Sequence, residues 1–237
     1  MIIAYNGAHY FGSQIQKETD QTVMGQLEKA LKILQIDAKV HASGRTDRGV
    51  HATKQVVHFD LPPFWNDLEK LRLNLARSLP HNIAIRRVEV VTEEFHARYS
   101  AKKRAYRYIL STKQVDPFLA DLVTYVDKLH VKKISEVISL FEGEHNFEYF
   151  KKSGSDTNNF VRVIYTAKLY THKNYTVLYF EANGFLRSQI RLMVGFLLQI
   201  SAGKYSKEDL INHLSCTKKL ALKPAPHEGL YLCNIKY

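Results

Sequence analysis

A short loop in the first quarter of the chain places one acidic side chain between two basic ones. Asp47 is flanked by Arg45 and Arg48, and Gly44 and Gly49 close the loop on either side. Glycines let the backbone turn tightly. The loop could therefore present a reactive carboxylate while the guanidinium groups bind phosphates. Taken alone, the same residues also fit a type I turn with a surface aspartate.

An arginine inside an apolar segment is a second candidate. Arg191 lies in residues 188–201, SQIRLMVGFLLQIS, which we predict to be a helix. A helix that is apolar on nearly all faces is buried, and a buried guanidinium stays charged and needs a carboxylate partner. We therefore expect an acid from elsewhere in the fold to pair with Arg191. The alternative is that its side chain extends to solvent at the edge of the helix.

Residues 104–108, RAYRY, combine aromatic and basic side chains. In a strand, Tyr106 and Tyr108 would share one face, because side chains alternate along the backbone. Tyrosines on a basic sheet can stack on extruded bases of RNA. Tyrosines that simply face the core fit the pattern equally well.

The overall charge favours a polyanionic partner. The 237 residues include 34 Lys and Arg against 23 Asp and Glu, which gives a net charge of +11. Such a surplus promotes binding to nucleic acid, because neutralised phosphates release their counterions. A basic protein without a specific partner is the alternative.

Motifs for metals and cofactors are not indicated. His51 and His58 fit no metal-ligand spacing, and Cys216 and Cys233 form no CxxC pair. The chain has neither a GxGxxG nor a GxxxxGK[ST] motif. We therefore expect no metal and no cofactor. The amino terminus lacks a signal-peptide pattern, and the longest apolar stretch, 192–200, is too short to span a bilayer. These features predict a soluble, cytoplasmic protein without a membrane partner.

Predicted strands and helices follow a similar order in the two halves of the chain. We expect an α+β fold of two ferredoxin-like or RRM-like α/β subdomains, residues 1–101 and 102–237, with mainly antiparallel sheets side by side and an active-site cleft between them. Residues 151–159, rich in Ser, Asp and Asn, are predicted to be a mobile surface loop. The predicted helices are 22–34, 68–78, 131–141, 188–201 and 207–214, and the predicted strands are 2–5, 39–42, 55–61, 83–91, 106–110, 162–170, 175–182 and 229–235.

Seven segments together resemble one family, the TruA-type tRNA pseudouridine synthases. They are GRTDRGVHA (44–52), QVVHF (55–59), FHAR with SA (95–101), RAYRY (104–108), NGFL (183–186), QIR with VG (189–195) and EGLYL (228–232). The resemblance covers nearly the whole chain, and its first segment is the most specific. Beside the other six segments, a catalytic role for Asp47 is a better interpretation than a simple turn.

The resemblance implies roles for individual residues. Asp47 is similar in position to the family's nucleophilic aspartate, Arg191 to the arginine that pairs with it, and Tyr106 to the tyrosine that contacts the target uracil. We expect all three to be catalytic. The residues expected to bind the substrate are Tyr106, Arg45, Arg48, Phe185 and Leu230.

The resemblance also implies a reaction and partners. It implies an isomerase that forms pseudouridine at positions 38, 39 and 40 of the tRNA anticodon stem-loop, acting as a homodimer. The residues alone leave open a non-catalytic RNA-binding protein with two RRM-like domains. A metal-dependent nuclease would need a cluster of carboxylates, and the Asp47 loop contains no second acid.

Some positions depart from the family pattern. Asn6 replaces the usual aspartate of the first motif, and Ser13 replaces the usual tryptophan before Gln14. Residues 187–188 also differ from those of many bacterial members. We expect these changes to affect tRNA contacts and not the chemistry.

Overall fold

The structure, a computed structural model, describes residues 1–152 and 158–237. Strands and helices are interspersed along these residues. In chain order they are β1 (Ile2–Tyr5), α1 (Val23–Ile33), β2 (His41–Ala42), β3 (His51–His58), α2 (Leu68–Ser78), β4 (Ile83–Arg87), β5 (Lys103–Ser111), β6 (Thr124–Tyr125), α3 (Val131–Ser135), β7 (Gly143–Asn146), β8 (Val161–His172), β9 (Tyr175–Ala182), α4 (Gln189–Ser201), α5 (Lys207–Leu214) and β10 (Leu230–Lys236). Single turns of 3₁₀ helix cover Pro117–Leu119, Ile138–Phe141 and Glu148–Phe150.

The chain forms two compact units. Unit 1 comprises residues 1–102 and 231–237, and unit 2 comprises residues 103–230. Most strand pairs within each unit are antiparallel. The predicted α+β class with mainly antiparallel strands is confirmed. Along the described residues, no helix combines the length and the apolar character needed to cross a membrane.

Unit 1 is built on a sheet in which β1 lies between β3 and β4. Both pairings are antiparallel, and β2 adds an antiparallel partner to β3. The last strand, β10, pairs with β3 in parallel, with Tyr231 opposite His51. Thr22 is the N-cap of helix α1, and its side chain accepts a hydrogen bond from the Gly25 N–H. Its apolar stripe, which includes Leu27, is buried. Burial of each such leucine side chain stabilises the folded state by roughly 1.5–3 kcal/mol.

Unit 2 is built on the antiparallel order β5–β9–β8–β7, with β6 parallel to β5. The strands predicted over 162–170 and 175–182 correspond to β8 and β9, which form an antiparallel hairpin that turns at Lys173, where φ is 52°. The helix predicted over 131–141 is shorter, because α3 ends at Ser135 and a 3₁₀ turn covers Ile138–Phe141. Both kinds of helix bury residues spaced three or four apart, so the apolar spacing did not distinguish them. The predicted loop 151–159 includes 153–157, which lie outside the described residues.

A buried histidine ties helix α5 to the aromatic core of unit 2. His213 is fully buried against Phe150 and Phe196. The Leu220 N–H donates to its Nδ1 at 3.1 Å, and its Nε2 lies 3.3 Å from the carbonyl oxygen of Tyr149. An Nδ1 that accepts a hydrogen bond belongs to a neutral ring with its proton on Nε2. Burial lowers the pKa of His213 below its usual value.

We expect acidification to destabilise the protein partly through His213. Because the pKa of the ring is lower in the folded state than in the unfolded state, the unfolded chain binds the proton more readily. The stabilisation is complete above about pH 6.5 and is lost as the pH falls towards the lowered folded-state pKa. Urea unfolding of wild type and His213→Gln at several pH values measures this loss. The variant should show the weaker pH dependence, and identical pH dependence in both proteins would refute the assignment.

Candidate active site

The loop that carries Asp47 is a tight turn in unit 1. The Val50 N–H donates to the carbonyl oxygen of Asp47 at 3.1 Å. Gly49 has a φ of 76°, the left-handed value that the third residue of a type II turn requires. Asp47 is half-buried, whereas its neighbours Arg45 and Arg48 are exposed. The main chain at Asp47 is therefore fixed at the first position of a short turn.

Thr46, the residue before Asp47, is hydrogen-bonded through both its main chain and its side chain. Its N–H donates to the Oγ of Ser13 at 2.9 Å, and its carbonyl accepts from the Ser13 N–H at 3.1 Å. Its Oγ1 lies 2.9 Å from the hydroxyl of Tyr5. Burial raises the pKa of Tyr5 to about 12 although hydrogen bonds oppose the shift. The phenol therefore stays protonated at neutral pH and keeps its hydrogen bond to Thr46.

The other side of the loop is held by a glutamine. Gln55 in β3 is fully buried, and its Nε2 donates to the carbonyl oxygen of Gly44 at 2.8 Å. The hydroxyl of Ser43 donates to the Oε1 of Gln55 at 2.5 Å. A buried amide pays a large desolvation penalty unless its polar atoms are bonded. Gln55 meets this requirement by binding the residues that lead into the Asp47 loop.

Two glycines allow the first segment of the chain to approach this loop closely. A Cβ atom at Gly7 would lie 2.0 Å from the carbonyl oxygen of Val50, and one at Gly12 would lie 2.9 Å from that of Thr46. Gly12 also has a φ of 101°, which disfavours other residues. The Gly7 N–H donates to the Nδ1 of His51 at 3.0 Å. Residues 5–14 therefore form the support of the loop.

The same segment contacts both arginines that flank Asp47. The Nε of Arg45 donates to the Oε1 of Gln14 at 3.0 Å. The guanidinium carbon of Arg48 lies 4.4 Å from the centre of the Phe11 ring, a cation–π distance. These contacts direct two exposed cationic groups beside the loop, where they can bind the phosphates of a nucleic acid.

In unit 2, the two tyrosines of β5 have different surroundings. Tyr108 is fully buried, and its hydroxyl lies 2.8 Å from both the Oγ1 of Thr124 and the carbonyl oxygen of Pro226. Burial raises the pKa of Tyr108 above its usual value. Tyr106 is 7% exposed and packs edge-on against the ring of Phe185, with the ring centres 5.4 Å apart. Tyr108 is thus a core residue, and Tyr106 shares an aromatic contact with another predicted substrate-binding residue.

Arg191 lies in the first turn of α4. It is half-buried, whereas the apolar sequence around it predicted full burial. Its Nε donates to the carbonyl oxygen of Ala225 at 2.7 Å, and its own carbonyl accepts from the Ala225 N–H at 2.8 Å. Gly195, one turn further along α4, lets residues 223–225 approach the helix, because a Cβ there would lie 2.2 Å from the Lys223 carbonyl oxygen. This approach positions the guanidinium.

The predicted residues thus fall into sets within the two units. Unit 1 holds Arg45, Asp47 and Arg48 on one loop. In unit 2, Tyr106 packs against Phe185, and Arg191 is hydrogen-bonded to Ala225. Leu230, also in unit 2, is buried at the start of β10. Within residues 1–152 and 158–237, no group of three or more His, Cys, Asp or Glu side chains is arranged to hold a metal ion.

Several supporting residues were not identified from the sequence. Tyr5 and Gln55 lie in segments with strand character, where a polar atom in an apolar run indicates a buried hydrogen bond. That signal could have found both residues. Ser13 and Ala225 carry no comparable signal, because their bonds to Thr46 and Arg191 depend on tertiary contacts.

Comparison with known proteins places the chain in a family. Residues 1–100 and 137–237 match the family model described as tRNA pseudouridine synthase. The chain is 41% identical to tRNA pseudouridine synthase A of Wolinella succinogenes, over 99% of this chain and 92% of that protein. It is 37% identical to the protein of the same name in Helicobacter hepaticus, over 100% and 97%. It is also 39% identical to tRNA pseudouridine synthase A 1 of Bacillus cereus, over 99% and 96%.

The chain therefore belongs to the tRNA pseudouridine synthase family, whose members are isomerases that act on tRNA.

We expect Gly195→Ala to destabilise the protein by about 1–3 kcal/mol, because the new methyl group would collide with main chain. The higher helix propensity of alanine, worth up to about 1 kcal/mol, offsets only part of this cost. Gly184→Ala is the matched control, since its Cβ would meet only the Arg162 side chain at 3.7 Å. Urea unfolding compares the two variants. Equal stability of both would contradict the close packing of α4.

Proposed function

We propose that this protein converts uridine to pseudouridine at positions 38, 39 and 40 of the tRNA anticodon stem-loop, with Asp47 as the nucleophile. Membership of the family supports the reaction. The main support for the role of Asp47 is the way in which its loop is held. The main chain of Thr46 is hydrogen-bonded to Ser13, and its side chain is hydrogen-bonded to Tyr5. A reacting group must be held within about 0.5 Å of its productive position.

The reaction rearranges bonds within one nucleotide. The N1–C1′ bond of uridine breaks, the uracil turns, and a C5–C1′ bond forms. A proton leaves C5 and N1 gains one, so that atoms and charge balance without an oxidant, a reductant or hydrolysis. Attack by the carboxylate at C1′, attack at C6, and removal of a sugar proton all require an ionised Asp47.

The arginines and aromatic residues have complementary roles in this proposal. A stacked base must leave its stem before it can react, at a cost of a few kcal/mol. The exposed side chains of Arg45 and Arg48 would bind the phosphates of the opened backbone. The uracil would bind against the paired rings of Tyr106 and Phe185 and the side chain of Leu230. Tyr106 would act chiefly by stacking, because a tyrosine phenol is a weak base near neutral pH.

Arg191 would keep the catalytic carboxylate ionised. An opposite charge within ~4–6 Å favours the charged form of an acid. The hydrogen bond from its Nε to the carbonyl oxygen of Ala225 holds the guanidinium group against the main chain. A fixed guanidinium loses less conformational entropy when it pairs than a freely rotating one.

The proposal includes an assembly and a location. We propose that the functional division of the chain is 1–101, which supplies Asp47, and 102–237, which supplies Tyr106 and Arg191. We further propose a cytoplasmic homodimer that binds tRNA. The net charge of +11 supports a polyanionic partner.

The central test is substitution of the nucleophile. Asp47→Asn should reduce tritium release from tRNA labelled at C5 of uridine by roughly 10³-fold or more, because an amide cannot replace the carboxylate. Binding of tRNA, measured by filter retention in EDTA, should persist. Asp37→Asn, an exposed position in the same unit, is the matched control and should leave release unchanged. Appreciable turnover by Asp47→Asn would exclude its role, and wild type that binds tRNA without releasing tritium would indicate a binding protein.

Arg191→Met should slow tritium release roughly hundredfold while weakening tRNA binding much less. The reason is that the guanidinium is proposed to act on the ionised carboxylate and not on the body of the RNA. Arg187→Met removes an exposed charge just before α4 and serves as the control for a general loss of charge. Equal losses of rate and affinity in Arg191→Met would reduce this residue to a binding role.

A further inference from the structure

Ser13 connects helix α1 to the Asp47 loop. Its carbonyl accepts a hydrogen bond from the Met24 N–H at 3.0 Å, in the first turn of α1. Its N–H and its hydroxyl both bind Thr46, as described above. Ser13 is only 1% exposed. All three of its polar groups are thus used in one chain of hydrogen bonds from the helix to the residue before Asp47.

We propose that Ser13 is a positioning residue for Asp47. Its hydroxyl would hold the Thr46 N–H and so fix the place at which the following residue enters the turn. The inference rests on the proposed role of Asp47. The burial of Ser13 beside the Asp47 loop favours a part in the chemistry over the tRNA contacts expected from the sequence.

The chemistry of the hydroxyl explains why this side chain suits the position. A serine oxygen accepts a hydrogen bond, whereas an indole is a donor only and a methyl group does neither. Thr46 is 7% exposed, so its N–H has little access to water. Without the serine oxygen, this donor would lose its partner, and the main chain would have to shift to find another.

A shift of this kind should affect the rate more than the binding. A displacement of about 1 Å at a reacting group can slow a reaction about 100-fold. Ser13 is too buried to touch RNA, whereas the exposed arginines beside the loop can still bind phosphates. A positioning role therefore predicts separate effects on turnover and affinity.

The test uses Ser13→Ala and Ser13→Thr in the full-length protein. Single-turnover tritium release with enzyme in excess measures the rate of folded molecules, so that a smaller folded fraction does not lower it. We expect Ser13→Ala to be roughly 10- to 100-fold slower, with tRNA affinity within about threefold of wild type. Ser13→Thr, which keeps the oxygen, should regain most of the rate. Ser78→Ala is the matched control, because it removes a hydroxyl bonded only within α2.

Amide hydrogen exchange at Thr46, followed by NMR, tests the same bond without activity. The Thr46 amide should exchange faster in Ser13→Ala than in wild type and in Ser78→Ala. The inference would be overturned if exchange at Thr46 were unchanged in Ser13→Ala, or if the single-turnover rate of Ser13→Ala were within twofold of wild type. It would also be overturned if Ser13→Thr exchanged as slowly as wild type yet reacted as slowly as Ser13→Ala. Failure of the proposed function is recognised separately, since wild type would then release no tritium or Asp47→Asn would remain active.

Discussion

The site in unit 1 depends on the close approach of two stretches of main chain. Residues 5–14 can reach the loop at 44–50 only because Gly7 and Gly12 have no side chain at the points of contact. Once the two stretches meet, Thr46 is bonded through its main chain and its side chain. The supporting residues are themselves held at both ends, because Tyr5 ends β1 and the Ser13 carbonyl accepts a hydrogen bond from the Met24 N–H in the first turn of α1. The placement of both flanking arginines follows from the same contact.

Unit 2 uses the same device at a helix. Gly195 lets residues 223–225 lie against α4, and Ala225 then bonds to Arg191 in both directions. In each unit, main chain that approaches at a glycine supports a residue with a proposed chemical role or the residue next to it. Long polar side chains lose considerable rotamer freedom when they are ordered, so support of this kind lowers the cost of presenting them.

The residues that could be predicted from the sequence are those whose type is itself unusual. A carboxylate between two arginines and an arginine in an apolar helix stand out in any reading. Alternation along β5 placed Tyr106 and Tyr108 on one face but could not separate them, because the difference lies in Thr124 and Phe185, which reach the strand from distant parts of the chain. The bond from the Thr46 N–H to the hydroxyl of Ser13 could not be predicted either, because it joins residues that are 33 positions apart in the chain. The extent of burial of Arg191 also depends on its neighbours, which periodicity does not describe.

The return of β10 to unit 1 has a consequence for biosynthesis. The strand pairs with β3 through Tyr231 and His51, yet all of unit 2 is translated between them. In a nascent chain from which residues 1–102 have left the ribosome, the part of β3 that pairs with β10 has no native partner until β10 is translated. Open strand edges are sites of intermolecular pairing. Slow elongation through unit 2 would therefore prolong the interval in which this strand edge is open to intermolecular pairing.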